Sequence, residues 1–154
     1  MDDYIVLDQN KFILKQFHFH TPSENQINGI TYPMEIHFVH ADEQGDLAVL
    51  AVMFELGQSN NEITKLWKSI SKKENDVKEI KRIVNLEKLL PEVREYYRFT
   101  GSLTTPPCDE GVNWIVLKKP LQISQEQIDT FKNILKQPSN NRPIQQTNGR
   151  IIIE

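Results

Sequence analysis

The stretch "QFHFHTPSEN" (residues 16–25) carries two of the chain's four histidines, His18 and His20, with a carboxylate, Glu24, close behind. It continues the run "FILKQFHFH" (12–20), which reads as a β-strand. Side chains on a strand alternate between faces, so Gln16, His18 and His20 share one face and Phe17 and Phe19 take the other. The next alternating segment, "MEIHFVH" (34–40), puts Glu35, His37 and Val39 on one face and sets His40 opposite.

Outward from this centre the chain reads as mainly β. "YIVL" (4–7) is a short strand, and "TPSENQINGITYP" is a loop punctuated by Pro22, Gly29 and Pro33. "DEQGD" (42–46) is a turn. "LAVLAVMFEL" (47–56) is nearly all apolar, as in a strand buried on both faces. A helix is expected over 62–70, capped by Asn60 or Asn61, with Ile63, Leu66, Trp67 and Ile70 as its core stripe. "SKKEND" (71–76) reads as a solvated linker, and a short helix around 86–90 ends before Pro91. "REYYRFTGSLTTPP" runs from strand into loop, and "VNWIVL" (112–117) is a further strand. Ser124 opens a second helix, with Gln127 placed for a capping box and Ile128, Phe131, Ile134 and Leu135 turned inward. The tail is irregular until a β-prone "RIII". The pattern fits one mainly β domain over residues 1–154, with a few short peripheral helices; it leaves the strand order open.

Composition narrows the function. A net charge of −3 lacks the basic footprint of a general nucleic-acid binder. No apolar run is long enough to span a bilayer, and residues 1–15 show no basic region followed by an apolar stretch, so no signal peptide is expected. The single cysteine, Cys108, allows no intrachain disulfide.

Two histidines at i and i+2 on a strand can point at one metal, and a third from an adjacent strand completes a tripod. Catalytic zinc sites commonly use three protein ligands. His37 is the natural third. Gln16 and Glu35, each one step along the same face, stand where partners for the second ring nitrogens belong. His40, of opposite parity, reads as a surface or strand-end histidine. A bare His-x-His pair is weak evidence, because alternating strands produce it by chance. The rival reading is a cupin, whose first half-motif His18, His20 and Glu24 would satisfy. Its second half needs a later histidine, and none follows His40.

The stretch "GSLTTPPC" (101–108) tips the balance. Together with "QFHFHTPSEN", "YPMEIHFVH", "LAVLAVMFELG", "VNWIVL" and "NNRPIQ", it resembles the α-class carbonic anhydrases, the bacterial members most closely, from about Tyr4 to the C-terminus. The resemblance implies a central, mixed, twisted β-sheet and a Zn2+ cofactor held by His18, His20 and His37. It implies that Gln16, Glu35 and the backbone carbonyl of Asn140 support those ligands. Thr104 would accept a hydrogen bond from zinc-bound hydroxide and pass its own proton to Glu24. Thr105 would contact bicarbonate or inhibitors, and Val39, Val49, Leu103, Val112 and Trp114 would wall the CO2 site. For those wall residues plain core packing explains the pattern almost as well.

The implied reaction is reversible hydration of CO2 to bicarbonate by zinc-bound hydroxide, inhibited by sulfonamides or anions. The family pattern has a substantial portion ahead of the His18 strand, carrying a proton-shuttle histidine, aromatics at the cavity mouth, neighbouring strands and a cysteine partner for Cys108. Without it, "FILKQFHFH" is expected to be a sheet edge open to self-association, and Cys108 an orphaned half of a disulfide. Three readings follow: a competent and slow enzyme, a zinc-binding inactive fragment, or a non-catalytic binding module. Retention of all three histidines with Thr104 and Glu24 counts against the last. Family members of this type imply a periplasmic or secreted location.

Overall fold

A computed structural model describes residues 3–70 and 84–154. The "SKKEND" segment lies outside the described residues. The main sheet has seven strands: β1 (Tyr4–Leu7), β2 (Asn10–His20), β5 (Met34–Ala41), β6 (Leu47–Leu56), β7 (Tyr96–Ser102), β8 (Glu110–Leu117) and β9 (Leu121–Ile123). Their order is β1-β2-β5-β6-β8-β7, with β9 also alongside β6. The β1–β2, β2–β5, β5–β6 and β7–β8 pairs are antiparallel, whereas β6 meets β8 and β9 in parallel. The sheet is therefore mixed, as expected.

Two apolar clusters lie on its opposite faces. The larger holds Phe12, Phe19, Met34, Ile36, Phe38 and Phe54 and is covered by the helices α1 (Asn61–Ser69) and α2 (Gln125–Leu135). Ile63, Leu66, Ile128 and Phe131 come down onto it from those helices. The smaller holds Val49, Ala51, Met53, Val112, Trp114 and Val116. Strand β6 supplies both, with Ala48, Leu50, Val52 and Phe54 on one face and Val49, Ala51 and Met53 on the other. That is why its sequence is apolar throughout.

The helix ends follow local chemistry. Asn60 caps α1, its side chain accepting the Glu62 and Ile63 N–H groups. Ser124 and Gln127 form the expected capping box at α2. Ile70 departs from expectation: it is the C-cap of α1 and 36% exposed, beyond the buried stripe. The short helix after residue 85 is a 3-10 turn, Leu86–Leu89.

Three features differ from the sequence reading. The 21–33 segment is not simply a loop: β3 (Gln26–Ile27) and β4 (Ile30–Thr31) form a small hairpin. Its turn, Asn28-Gly29, has positive φ at both residues (52° and 76°), as a type I′ hairpin turn requires. Next, β2 is not the outermost strand. Tyr4–Leu7 folds back over Asn10–Ile13, so β1 takes the edge and covers the first part of β2 only. Finally, the "RIII" tail forms a single bridge, Ile153 to Arg98 on β7. Among the described residues, no helix is long and apolar enough to cross a membrane.

A register break between Leu14 and Gln16 aims the histidines. Strict alternation from Phe12 would put Phe12 and Leu14 on the same face as His18 and His20. The bulge inserts one residue, so Phe12 and Leu14 pack with Phe17 and Phe19 against the large cluster. Gln16, His18 and His20 then face the other way.

Candidate metal centre

The β2–β5 register sets His18 opposite His37 and His20 opposite Glu35. One ligand atom from each of His18, His20 and His37 lies within 4.8 Å of the other two. His20 and His37 are buried and His18 is half-buried, so the cluster opens to solvent on the His18 side.

Each ring has an acceptor at one nitrogen. His18 Nδ1 is 2.8 Å from Gln16 Oε1. His20 Nδ1 is 3.3 Å from the Asn140 carbonyl oxygen and 3.3 Å from Glu24 Oε1. His37 Nε2 is 3.0 Å from Glu35 Oε1. These contacts leave His18 Nε2, His20 Nε2 and His37 Nδ1 for a common ligand. His20 Nε2 and His37 Nε2 are both buried without a formed hydrogen bond; the second lies at ion-pair distance from Glu35, and the first is an unmet polar atom of the kind a metal ion would satisfy.

Burial keeps two of the imidazoles neutral, as ligation requires. His18 is pushed from 6.5 down to about 4, first by burial and then by its neighbours His37 and His20. His20 is also pushed down to about 4, first by burial and then by His37, against the pull of the Asn140 carbonyl. A set of imidazole ligands suits a divalent transition ion.

Glu35 is fully buried, and burial alone would raise its pKa. His37 and the hydrogen bonds from Asn25 outweigh that and hold it below the usual range. Its Oε2 accepts the Glu24 and Asn25 N–H groups at 2.7 and 2.9 Å, and its Oε1 accepts Asn25 Nδ2 at 2.7 Å. Glu24 is raised by burial, while the Thr104 side chain and the Arg142 backbone N–H pull the other way. That N–H donates to Glu24 Oε1 at 2.7 Å, and Oε2 has no formed hydrogen bond. Asn25 and Arg142 escaped the sequence reading. Asn25 stood inside the opening stretch, whereas Arg142 acts through its backbone and leaves no residue-type signal.

The expected wall residues all fall in the smaller cluster. Val49, Val112 and Trp114 are buried in it, with Val39 and Leu103 packed against them. The Trp114 ring meets His37 edge-on, with centroids 4.9 Å apart. Thr105 is exposed, and its carbonyl accepts the Cys108 N–H. Cys108 is free and half-buried. His40 is a correction to the sequence reading. It lies outside the tripod as expected, yet it is buried at 4% exposure, with Nδ1 2.9 Å from the Phe38 carbonyl oxygen. That contact meets the ring's polar need inside the core.

Fold and site together define a mixed-sheet β protein with a three-histidine metal-type centre beside an apolar wall. The profile of the eukaryotic-type carbonic anhydrases matches residues 4–154, and the chain belongs to that family. It is 49% identical over 152 residues to the carbonic anhydrase of Klebsiella pneumoniae, covering 99% of this chain and 61% of that protein. The α-carbonic anhydrase of Thermovibrio ammonificans, solved with the inhibitor sulfanilamide, superposes with a TM-score of 0.92 at 47% identity, covering 98% of this chain and 66% of that one. The Photobacterium profundum α-carbonic anhydrase gives 0.91 at 50% identity, covering all of this chain and 70% of that one. The chain spans about three-fifths of the length of the curated relatives it matches.

Proposed function

We propose that this chain binds Zn2+ through His18, His20 and His37 and catalyses the reversible hydration of CO2 to bicarbonate. The observation that carries the reading is the convergence of three ligand atoms within 4.8 Å, with an acceptor on each ring's other nitrogen. Zinc held by three histidines would lower the pKa of a bound water to about 7, a magnitude taken from carbonic anhydrase itself.

The chain's own residues do the rest. Gln16, Glu35 and the Asn140 carbonyl fix the three rings. Arg142 occupies one Glu24 oxygen and leaves the other to accept the Thr104 hydroxyl proton. Thr104, with its proton committed to Glu24, acts only as an acceptor toward the centre. An oxygen held at the centre would donate to Thr104, and that orientation would face its lone pair to the wall of Val39, Val49, Leu103, Val112 and Trp114. An apolar surface suits CO2, which has no net charge or dipole. Thr105, one residue on, is the proposed contact for bicarbonate, sulfonamides or anions.

The test is stopped-flow CO2 hydration by the purified, zinc-loaded chain at several buffer concentrations, with and without a sulfonamide. Sulfonamide-sensitive activity that rises with buffer supports the reading. Background rates from a folded, zinc-bound chain favour the second reading, a zinc-binding fragment without turnover. That reading draws on the chain's covering only 61% of the Klebsiella protein. We also propose self-association along the part of β2 that β1 leaves uncovered, seen as a concentration-dependent mass in sedimentation. A periplasmic or secreted location is proposed from the family likeness and is checked by fractionation.

A further inference from the structure

Asn140 meets the end of β2 from the C-terminal tail, about 120 residues away in sequence. Its backbone N–H donates to the Thr21 carbonyl oxygen at 3.1 Å, and its own carbonyl oxygen faces His20 Nδ1 at 3.3 Å. The side chain adds two shorter bonds. Oδ1 accepts the Thr21 N–H at 2.8 Å, and Nδ2 donates to the Phe19 carbonyl oxygen at 2.8 Å. These two backbone groups belong to the residues on either side of His20.

In a sheet such groups are met by a neighbouring strand. On this side of β2 the strand partner is β1, and its pairing stops at Ile13. A primary amide carries an acceptor and a donor in one plane. Asn140 offers both to β2 where no strand does.

We infer that the Asn140 side chain is a positioning residue for the metal centre: by clamping Phe19 and Thr21 it fixes the backbone of His20 and so aims His20 Nε2 into the tripod. The carbonyl contact alone would not demand asparagine, since any residue has a backbone carbonyl. The side-chain bonds are specific to an amide of this length. The inference rests on the reading of His18, His20 and His37 as a zinc site and adds the group that holds one ligand's backbone.

The test compares the wild-type chain with Asn140→Ala and Asn140→Asp. The alanine variant keeps the carbonyl and loses both amide bonds. The aspartate variant keeps the shape and the acceptor for Thr21 and loses the donor for Phe19. Zinc affinity is measured by competition with a chromophoric chelator, and geometry by the visible spectrum of the Co2+ form. Affinity is expected to fall roughly tenfold or more in each variant, with an altered Co2+ spectrum, as for other groups that orient a ligand. If the alanine variant does not fold, the aspartate variant gives the same readouts. A variant that melts earlier but keeps wild-type affinity and spectrum has lost only structure, and that result overturns the inference.

Imidazole 15N spectra of the metal-free proteins separate this inference from the zinc reading. His20 is expected to hold one tautomer, with the proton on Nδ1, in the wild type and to average between two in the variants. A wild-type chain without zinc affinity would sink the zinc reading, and the 15N comparison would still decide the role of Asn140. Identical His20 signals in wild type and variants overturn the role whatever the zinc result.

Discussion

The two faces of strand β5 are built on different physics within eight residues. Met34, Ile36 and Phe38 enter the large apolar cluster and are held by volume. Glu35 and His37 point the other way, and Glu35 is as deeply buried as Ile36. Burying that carboxylate is costly unless it is paired, and here His37 and Asn25 pair it. Changes on the first face should cost stability and spare the chemistry. Changes on the second should cost metal binding and spare most of the stability.

The sharpest break of this comparison is His37→Ala. Zinc binding and CO2 hydration are expected to vanish while the far-ultraviolet circular dichroism of the metal-free chain stays unchanged. Wild-type zinc affinity in that variant would remove His37 from the centre. The converse test is Phe54→Ala, on the other face and fully buried. It should cost about 3–5 kcal/mol in denaturant unfolding, as large-to-small aromatic changes in cores do. Zinc affinity of its folded fraction should stay close to wild type. A large loss of affinity in a folded Phe54→Ala chain would mean that the two faces are not separable.

Glu35→Gln probes the second face more gently. A glutamine keeps the size of the side chain and gives up the charge that meets His37. Metal affinity should fall roughly 10–100-fold, measured by chelator competition, with little change in the metal-free unfolding midpoint. An unfolding midpoint that collapses alongside affinity would make Glu35 a structural group first.

How much of this was legible differed between the two faces for physical reasons. The parity of Gln16, His18 and His20, and of Glu35, His37 and Val39, could be read because strand alternation is a local rule. So could the Ser124–Gln127 capping box and the doubly buried 47–56 strand. The bulge after Leu14 went unread, although two polar residues in succession, Lys15 and Gln16, interrupt the alternation there. The Asn28-Gly29 hairpin passed as loop because two-residue strands are too short to show a period. Sheet order was out of reach: β6 pairs in parallel with β8, more than sixty residues on. His40 was correctly kept out of the tripod and near the strand end, while the surface alternative failed because the ring is buried against the backbone of Phe38 and Ala48. The roles of Thr104 and Glu24 entered through family likeness, not through any pattern of spacing.

The smallest effect expected is a pH dependence of the metal-free chain, carried chiefly by the second face, with buried His40 adding to it from the first. His18 and His20 are held near 4 in the folded chain against an ordinary 6.5. Between these values the unfolded chain binds more protons than the folded one. Stability is therefore fully present above about 6.5 and is lost as pH falls through the window toward 4. Glu24 acts in the opposite sense, because burial raises its pKa and acidification then favours the folded chain. His40 is lowered by burial as well, so the three histidines outnumber Glu24 and the urea midpoint should drift downward from pH 7 to pH 5.5. In His18→Gln or His20→Gln the drift should shrink, and in Phe54→Ala it should persist unchanged on a lower baseline. A drift of equal size in all of these variants would move its origin away from the tripod, and the second face would no longer be the part of the molecule that reads pH.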